Sequence, residues 1–63
     1  MGIYDGNWKT VYTHRGTPQA SITCKMRHMV GDEICIEGED FVVSSICYNI
    51  EIFKIYVRMK RSE

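Results

Sequence analysis

What this chain lacks narrows it first. It has no apolar run approaching the ~20 residues that a helix needs to cross a bilayer, and no N-terminal run resembling a signal peptide. It has no Cys-x-x-Cys pair. Its three cysteines, Cys24, Cys35 and Cys47, are an odd number that cannot all pair. The expectation is a cytoplasmic protein with reduced thiols and no membrane segment. The chain also has no net charge, since eight Lys and Arg offset eight Asp and Glu. Domains that capture nucleic acid electrostatically are usually basic, whereas a neutral surface does little to keep molecules apart and favours self-association or a stable partner. Length is scarce too. The 63 residues make one domain, expected over 1–63 with residues 1–7 as a loose lead-in. A domain of this size buries only about 60% of its unfolded surface and is marginally stable.

What is present is period-two alternation. In the C-terminal part Phe53, Ile55, Val57 and Met59 share one parity, and Lys54, Tyr56, Arg58 and Lys60 the other. Successive side chains on a strand point to opposite faces, so this reads as a half-buried strand with an apolar inside and a cationic outside. Trp8 to His14, rich in aromatic and β-branched residues, reads as a first strand with Trp8, Thr10 and Tyr12 on one side. Arg15-Gly16-Thr17-Pro18 reads as a turn, Glu33 to Ile36 as a short strand, and Glu37-Gly38-Glu39-Asp40 as a hairpin loop. Phe41 to Tyr48 is apolar on both faces near its start. That marks a central strand or one with a bulge at Ser44-Ser45. The inward parity is even at Ile46 and Tyr48 but odd from Phe53 onward, which requires a turn near Asn49-Ile50-Glu51.

Residues 19–30 support two readings. Ile22, Cys24 and Met26 alternate with polar neighbours as a strand would. Alternatively Thr17 caps a helix over about 18–29, with Pro18 in its first turn and Gly31 at its end, packed on a three-stranded sheet in an α+β fold. The branched Ile22 and Thr23 favour the strand. The fold class expected is therefore all-β, a small five-stranded antiparallel barrel or curled sheet, because a short sheet with two bare edges invites aggregation. The Val30-Gly31-Asp32-Glu33-Ile34 turn, followed by a hairpin and two longer strands, resembles the spacing of small SH3-like barrels. The resemblance covers about half the chain and implies a fold, without assigning functional residues.

Three kinds of chemistry can be weighed on these residues. Cys24, His28, Cys35 and Cys47 could form a Cys3His zinc site, but their spacing offers no knuckle, and a cysteine doing no chemistry behaves as a small buried hydrophobe. His14 and His28 could serve as bases, yet nothing in the sequence sets either beside a cysteine with an orienting third group. The expectation is no metal, no cofactor and no enzymatic activity. The outward row Lys54, Tyr56, Arg58 and Lys60 combines phosphate-binding cations with a stacking ring, as single-strand binders on small barrels do. Lys25 and Arg27 would extend it if their strand lay alongside. Alternating cations on a surface strand also serve as a guard against edge pairing.

The charges are segregated, with Asp32, Glu33, Glu37, Glu39 and Asp40 at one place and Lys54, Arg58, Lys60 and Arg61 at another. Seven aromatics are generous for so small a core, and Tyr4, Trp8, Tyr12 and Tyr56 would anchor an interface if left outside. The function expected is a non-enzymatic module that binds another protein, or a second copy, through an aromatic-anchored, charge-bipolar surface. The partner-binding residues are Trp8, Tyr12, Tyr56, Lys54, Arg58 and Lys60. The alternative is nucleic-acid binding by the basic and aromatic face of the C-terminal strand. Stand-alone domains of this size are often encoded by bacteriophages or other mobile elements to modulate host proteins, and that setting is an expectation from size alone.

Overall fold

The computed structural model describes residues 8–62; the lead-in assigned to residues 1–7, Tyr4 included, lies outside them. The described chain is all-β: β1 (Lys9–His14), β2 (Thr17–Ile22), β3 (Glu33–Ile36), β4 (Glu39–Asn49) and β5 (Lys54–Arg61). They form one sheet in the order β2-β1-β5-β4-β3, curled into a half-barrel.

Two of the tight connections follow from backbone sterics. Arg15-Gly16 and Glu37-Gly38 are the two-residue loops of the β1–β2 and β3–β4 hairpins, and all four residues have positive φ, from 51° to 83°. That pair of left-handed residues is the signature of a type I′ turn, whose twist matches that of the flanking strands. Glycine supplies the second position without a Cβ penalty. Both turns are therefore shorter than the four-residue loops the sequence suggests, and the strands take up Thr17, Pro18, Glu39 and Asp40.

The expected parity of β5 holds over its length. Ile55, Val57 and Met59 are buried, and with Tyr12, Phe41 and Val43 they make the core on the concave face. Trp8, Ala20, Ile34, Ile36 and Ile46 pack around it. The register of β4 against β5 shifts between Val43 and Ser45. This bulge is what allows Phe41 and Val43, odd in number, and Ile46, even, to face the same core. Without the extra residue half of β4 would be turned to solvent.

Two expectations are corrected. The sheet is mixed, since β1 pairs with β5 in parallel, Thr10 beside Ile55 and Tyr12 beside Val57. Parallel neighbours cannot be joined by a hairpin, so the chain between β1 and β5 must cross the sheet. It does so between β2 and β3, and this accounts for the second correction. Strand β2 ends at Ile22, and residues 23–32 form neither the favoured strand nor the alternative helix. They run from one edge strand to the other over the core side of the sheet, meeting Thr10, Tyr12 and Val43 in turn. A segment lying over a sheet face cannot join the ladder, so its backbone must find other partners.

Those partners are specific. The Thr10 hydroxyl donates to the Cys24 carbonyl at 2.8 Å and accepts from the Met26 amide at 3.1 Å. Further along, the Gly31 amide donates to the Val43 carbonyl, and the Val43 amide to the Asp32 carbonyl, both at 2.9 Å. Asp32 Oδ2 accepts from the Met29 amide at 2.8 Å.

Candidate functional site

Two surfaces stand out, an apolar end and a cationic face. The apolar end is built at the β4–β5 turn, residues 50–53. Glu51 donates its amide to Asn49 Oδ1 at 3.1 Å, an Asx turn that starts the reversal. Lys9 donates its amide to the Phe53 carbonyl at 2.9 Å, which fastens the turn to the start of β1. Trp8 then stands edge-on to two rings, Phe53 at 5.4 Å and Tyr48 at 6.4 Å between centroids. Such T-shaped pairs bring a positive ring edge to a negative ring face. The Lys25 ammonium lies 5.3 Å over the Trp8 ring, in cation–π range. Around this cluster Tyr48, Ile50, Ile52 and Phe53 are all exposed.

The parity reading misplaces two residues: Tyr48, expected inward with Ile46, is 51% exposed near the end of β4, and the second is Phe53. It was expected inside, and instead it is 42% exposed with φ of 54°. The left-handed region is ordinary for Gly or Asn at the end of such a turn, whereas a bulky residue there is strained. The turn also places three large apolar side chains among four positions, against the usual polar chemistry of turns. That composition was the available signal for Ile50 and Ile52, and sequence reasoning passed over both.

Of the residues assigned to partner binding, Tyr12 is corrected. It is 4% exposed, and its ring lies in the core beneath the 23–32 segment. Its hydroxyl shares a 2.7 Å hydrogen bond with His28 Nε2, and the two rings meet edge to face. On the far side of that imidazole, Nδ1 lies 3.9 Å from Asp32 Oδ2. Tyr12 therefore holds the crossover segment down and offers nothing to a partner.

Burial, and secondarily the neighbouring Cys24, raises the Tyr12 pKa above its ordinary 10.0. The folded protein then keeps the phenolic proton where the unfolded chain releases it, so stability is intact below that value and falls as pH climbs past it. In urea titrations between about pH 9 and 11, wild type is expected to lose more stability than Tyr12→Phe. Parallel losses in the two proteins would contradict this role.

The cationic face is the convex side of the sheet. Lys54, Tyr56, Arg58 and Lys60 line it along β5 as expected. The parallel register sets Lys9 beside Lys54, Val11 beside Tyr56 and Thr13 beside Arg58. A shallow depression of about 330 Å³ lies between Val11, Thr13, Gly16, Pro18, Tyr56 and Arg58. A larger one, about 640 Å³, opens at the β1–β2 turn end and is lined by His14, Arg15, Met59, Lys60 and Arg61. Arg61 is held there by a 3.0 Å ion pair with Glu39.

Lys25 and Arg27 do not extend this face, because they sit on the crossover segment at the concave side. The acidic residues gather on and beside the β3–β4 hairpin, which lies next to the C-terminal end of β5, so that Glu39 meets Arg61 there. Cys35 and Cys47 are exposed and Cys24 half-buried. Among the described residues no three His, Cys, Asp or Glu side chains converge as a metal site would need. No described helix is long and apolar enough to cross a membrane.

Comparison with protein-family models, with curated proteins and with solved structures gives no match for this chain.

Proposed function

We propose that the chain is a protein-interaction module that docks a partner on the apolar end formed by Trp8, Tyr48, Ile50, Ile52 and Phe53. The observation that carries this reading is Phe53 itself. A bulky ring held at positive φ costs about 1–2 kcal/mol, and its reward within the fold is a half-exposed edge contact with Trp8. Strain kept at an exposed aromatic is the pattern of a binding feature. Neighbouring apolar side chains left in solvent together suit the desolvated centre of an interface.

The rim gives the partner's chemistry. Lys25 over Trp8, with Lys9 and Lys54 beside the turn, surrounds the apolar patch with cations, and Glu51 is the one carboxylate of the turn. A complementary protein surface presents an apolar anchor flanked by carboxylates. Binding acts by occupancy, blocking or bridging the partner, and requires no catalytic group on this chain.

Phe53→Gly is the test, because glycine relieves the backbone strain while deleting the ring. Its stability is expected to stay within about 1 kcal/mol of wild type, the strain relief offsetting the lost ring contact. A partner identified by affinity capture and then purified should bind the variant at least about tenfold more weakly, the effect of losing one hot-spot aromatic. Equal affinity for wild type and Phe53→Gly would remove this end from consideration. A concentration-dependent dimer that Phe53→Gly abolishes would identify a second copy as the occupant.

A further inference from the structure

We infer that the convex face of the sheet is a second binding site, one that takes a single-stranded nucleic acid along β5. This goes beyond the docking reading above and rests on the strand order. Alternating cations on a strand are usually explained as a guard against edge-to-edge pairing. That explanation fails here. β5 is the central strand, hydrogen-bonded to β1 on one side and β4 on the other, so it has no edge to guard. The strands that are edges, β2 and β3, have the sequences TPQASI and EICI and carry no Lys or Arg.

A second feature points the same way. The parallel register puts Lys9 directly beside Lys54, and like charges side by side on adjacent strands destabilise a sheet. Neither lysine has a carboxylate partner among the described residues. β1 and β5 contain no Asp or Glu. Lys60 lies opposite Val42, with Asp40 on the same face of β4 diagonal to it, and no ion pair joins the two among the described residues. Folding does not use this concentration of charge, whereas a bound polyanion would relieve it.

The spacing suits a polymer. Lys54, Arg58 and Lys60 run along one face of a strand that rises ~3.3 Å per residue, a track of about 20 Å with cations at both ends. Arg15, at the β1–β2 turn near Lys60, adds a further cation at that end. Midway, Tyr56 sits between Val11 and Cys47, with the smaller depression open beside its ring. A flat ring between cations is the arrangement on which bases stack while phosphates are neutralised, and it needs no particular sequence. A duplex keeps its bases stacked on one another and could use only the cations.

The test is fluorescence anisotropy with a labelled single-stranded oligonucleotide and, in parallel, the corresponding duplex and a polyglutamate peptide. Wild type should prefer the single strand. Log affinity should fall with log salt at a slope of roughly −2 to −3, as expected for three or four phosphate contacts at ~0.7 each. Tyr56→Ala should weaken binding roughly 5- to 100-fold at constant salt, the range for one stacked base. Lys9→Glu should weaken binding while raising the midpoint of thermal unfolding, because it replaces a repulsive pair with an attractive one. No binding at low salt would overturn the proposal. So would equal affinity for duplex or polyglutamate, or indifference to Tyr56→Ala in a variant that melts like wild type. Phe53→Gly removes no cation of the track and should leave oligonucleotide affinity unchanged, which distinguishes the ring-dependent docking from the track although Lys9 and Lys54 border both.

Discussion

Phe41→Ala is expected to leave most of the protein unfolded at room temperature. Phe41 is 1% exposed, lies across β3 from Ile34 and across β5 from Arg61, and packs its ring 5.2 Å from that of His14. Truncating such a side chain costs about 3–5 kcal/mol, the transfer term plus the cavity it leaves. A single core in a chain this short rarely supplies more than ~3–5 kcal/mol in total. The loss therefore matches the whole margin. Far-ultraviolet circular dichroism with urea titration measures it, and a cooperative transition near the wild-type midpoint would contradict this account. The comparison with Phe53→Gly is instructive. The two phenylalanines lie twelve positions apart, and one substitution should abolish folding while the other barely alters stability.

Thr10→Val is the second large effect, and it comes from two hydrogen bonds with almost no change of shape. Thr10 is completely buried, and its one hydroxyl serves both the Cys24 carbonyl and the Met26 amide. Valine keeps the volume and leaves both backbone groups without a partner beneath the crossover segment. Each unsatisfied buried group costs about 1–3 kcal/mol, and because both hydrogen bonds are only partly buried the lower part of the summed range, about 2–4 kcal/mol, is expected. For a domain of this size that corresponds to a fall in Tm of roughly 10–25 °C. Thr10→Ser restores the hydroxyl and lacks only a methyl, so it should recover all but about 1 kcal/mol. If valine proves as stable as threonine, residues 23–32 are not pinned as described. Hydrogen exchange should find the Met26 amide protected in wild type and exposed in the valine variant.

The β5 face pattern, the β4 bulge and the two glycine turns were legible because each is a local property. A period of two shows in neighbouring residues, and a glycine at a left-handed position is required by its own φ. Ser44-Ser45 was readable as a bulge because the apolar parity changes across it within one strand. Phe53 was misread because parity says which residues share a face, and a turn conformation at its own backbone removed it from that face. Tyr12 was offered as an interface anchor because an aromatic ring looks the same in sequence whether a loop covers it or solvent does.

The amino-acid sequence by itself settled that the backbone is extended over most of its length and that apolar and charged groups are sorted to opposite sides. Tertiary structure alone decided that β1 and β5 are parallel neighbours, that β5 is central, and that residues 23–32 roof the core. The reason is distance along the chain. Thr10 and Ile55 meet across forty-five positions, and no periodicity within either strand encodes that pairing. It is selected by the free energy of burying one common core beneath one crossover segment, and it sets the row of lysines and arginines on a central strand, where they have no edge to protect.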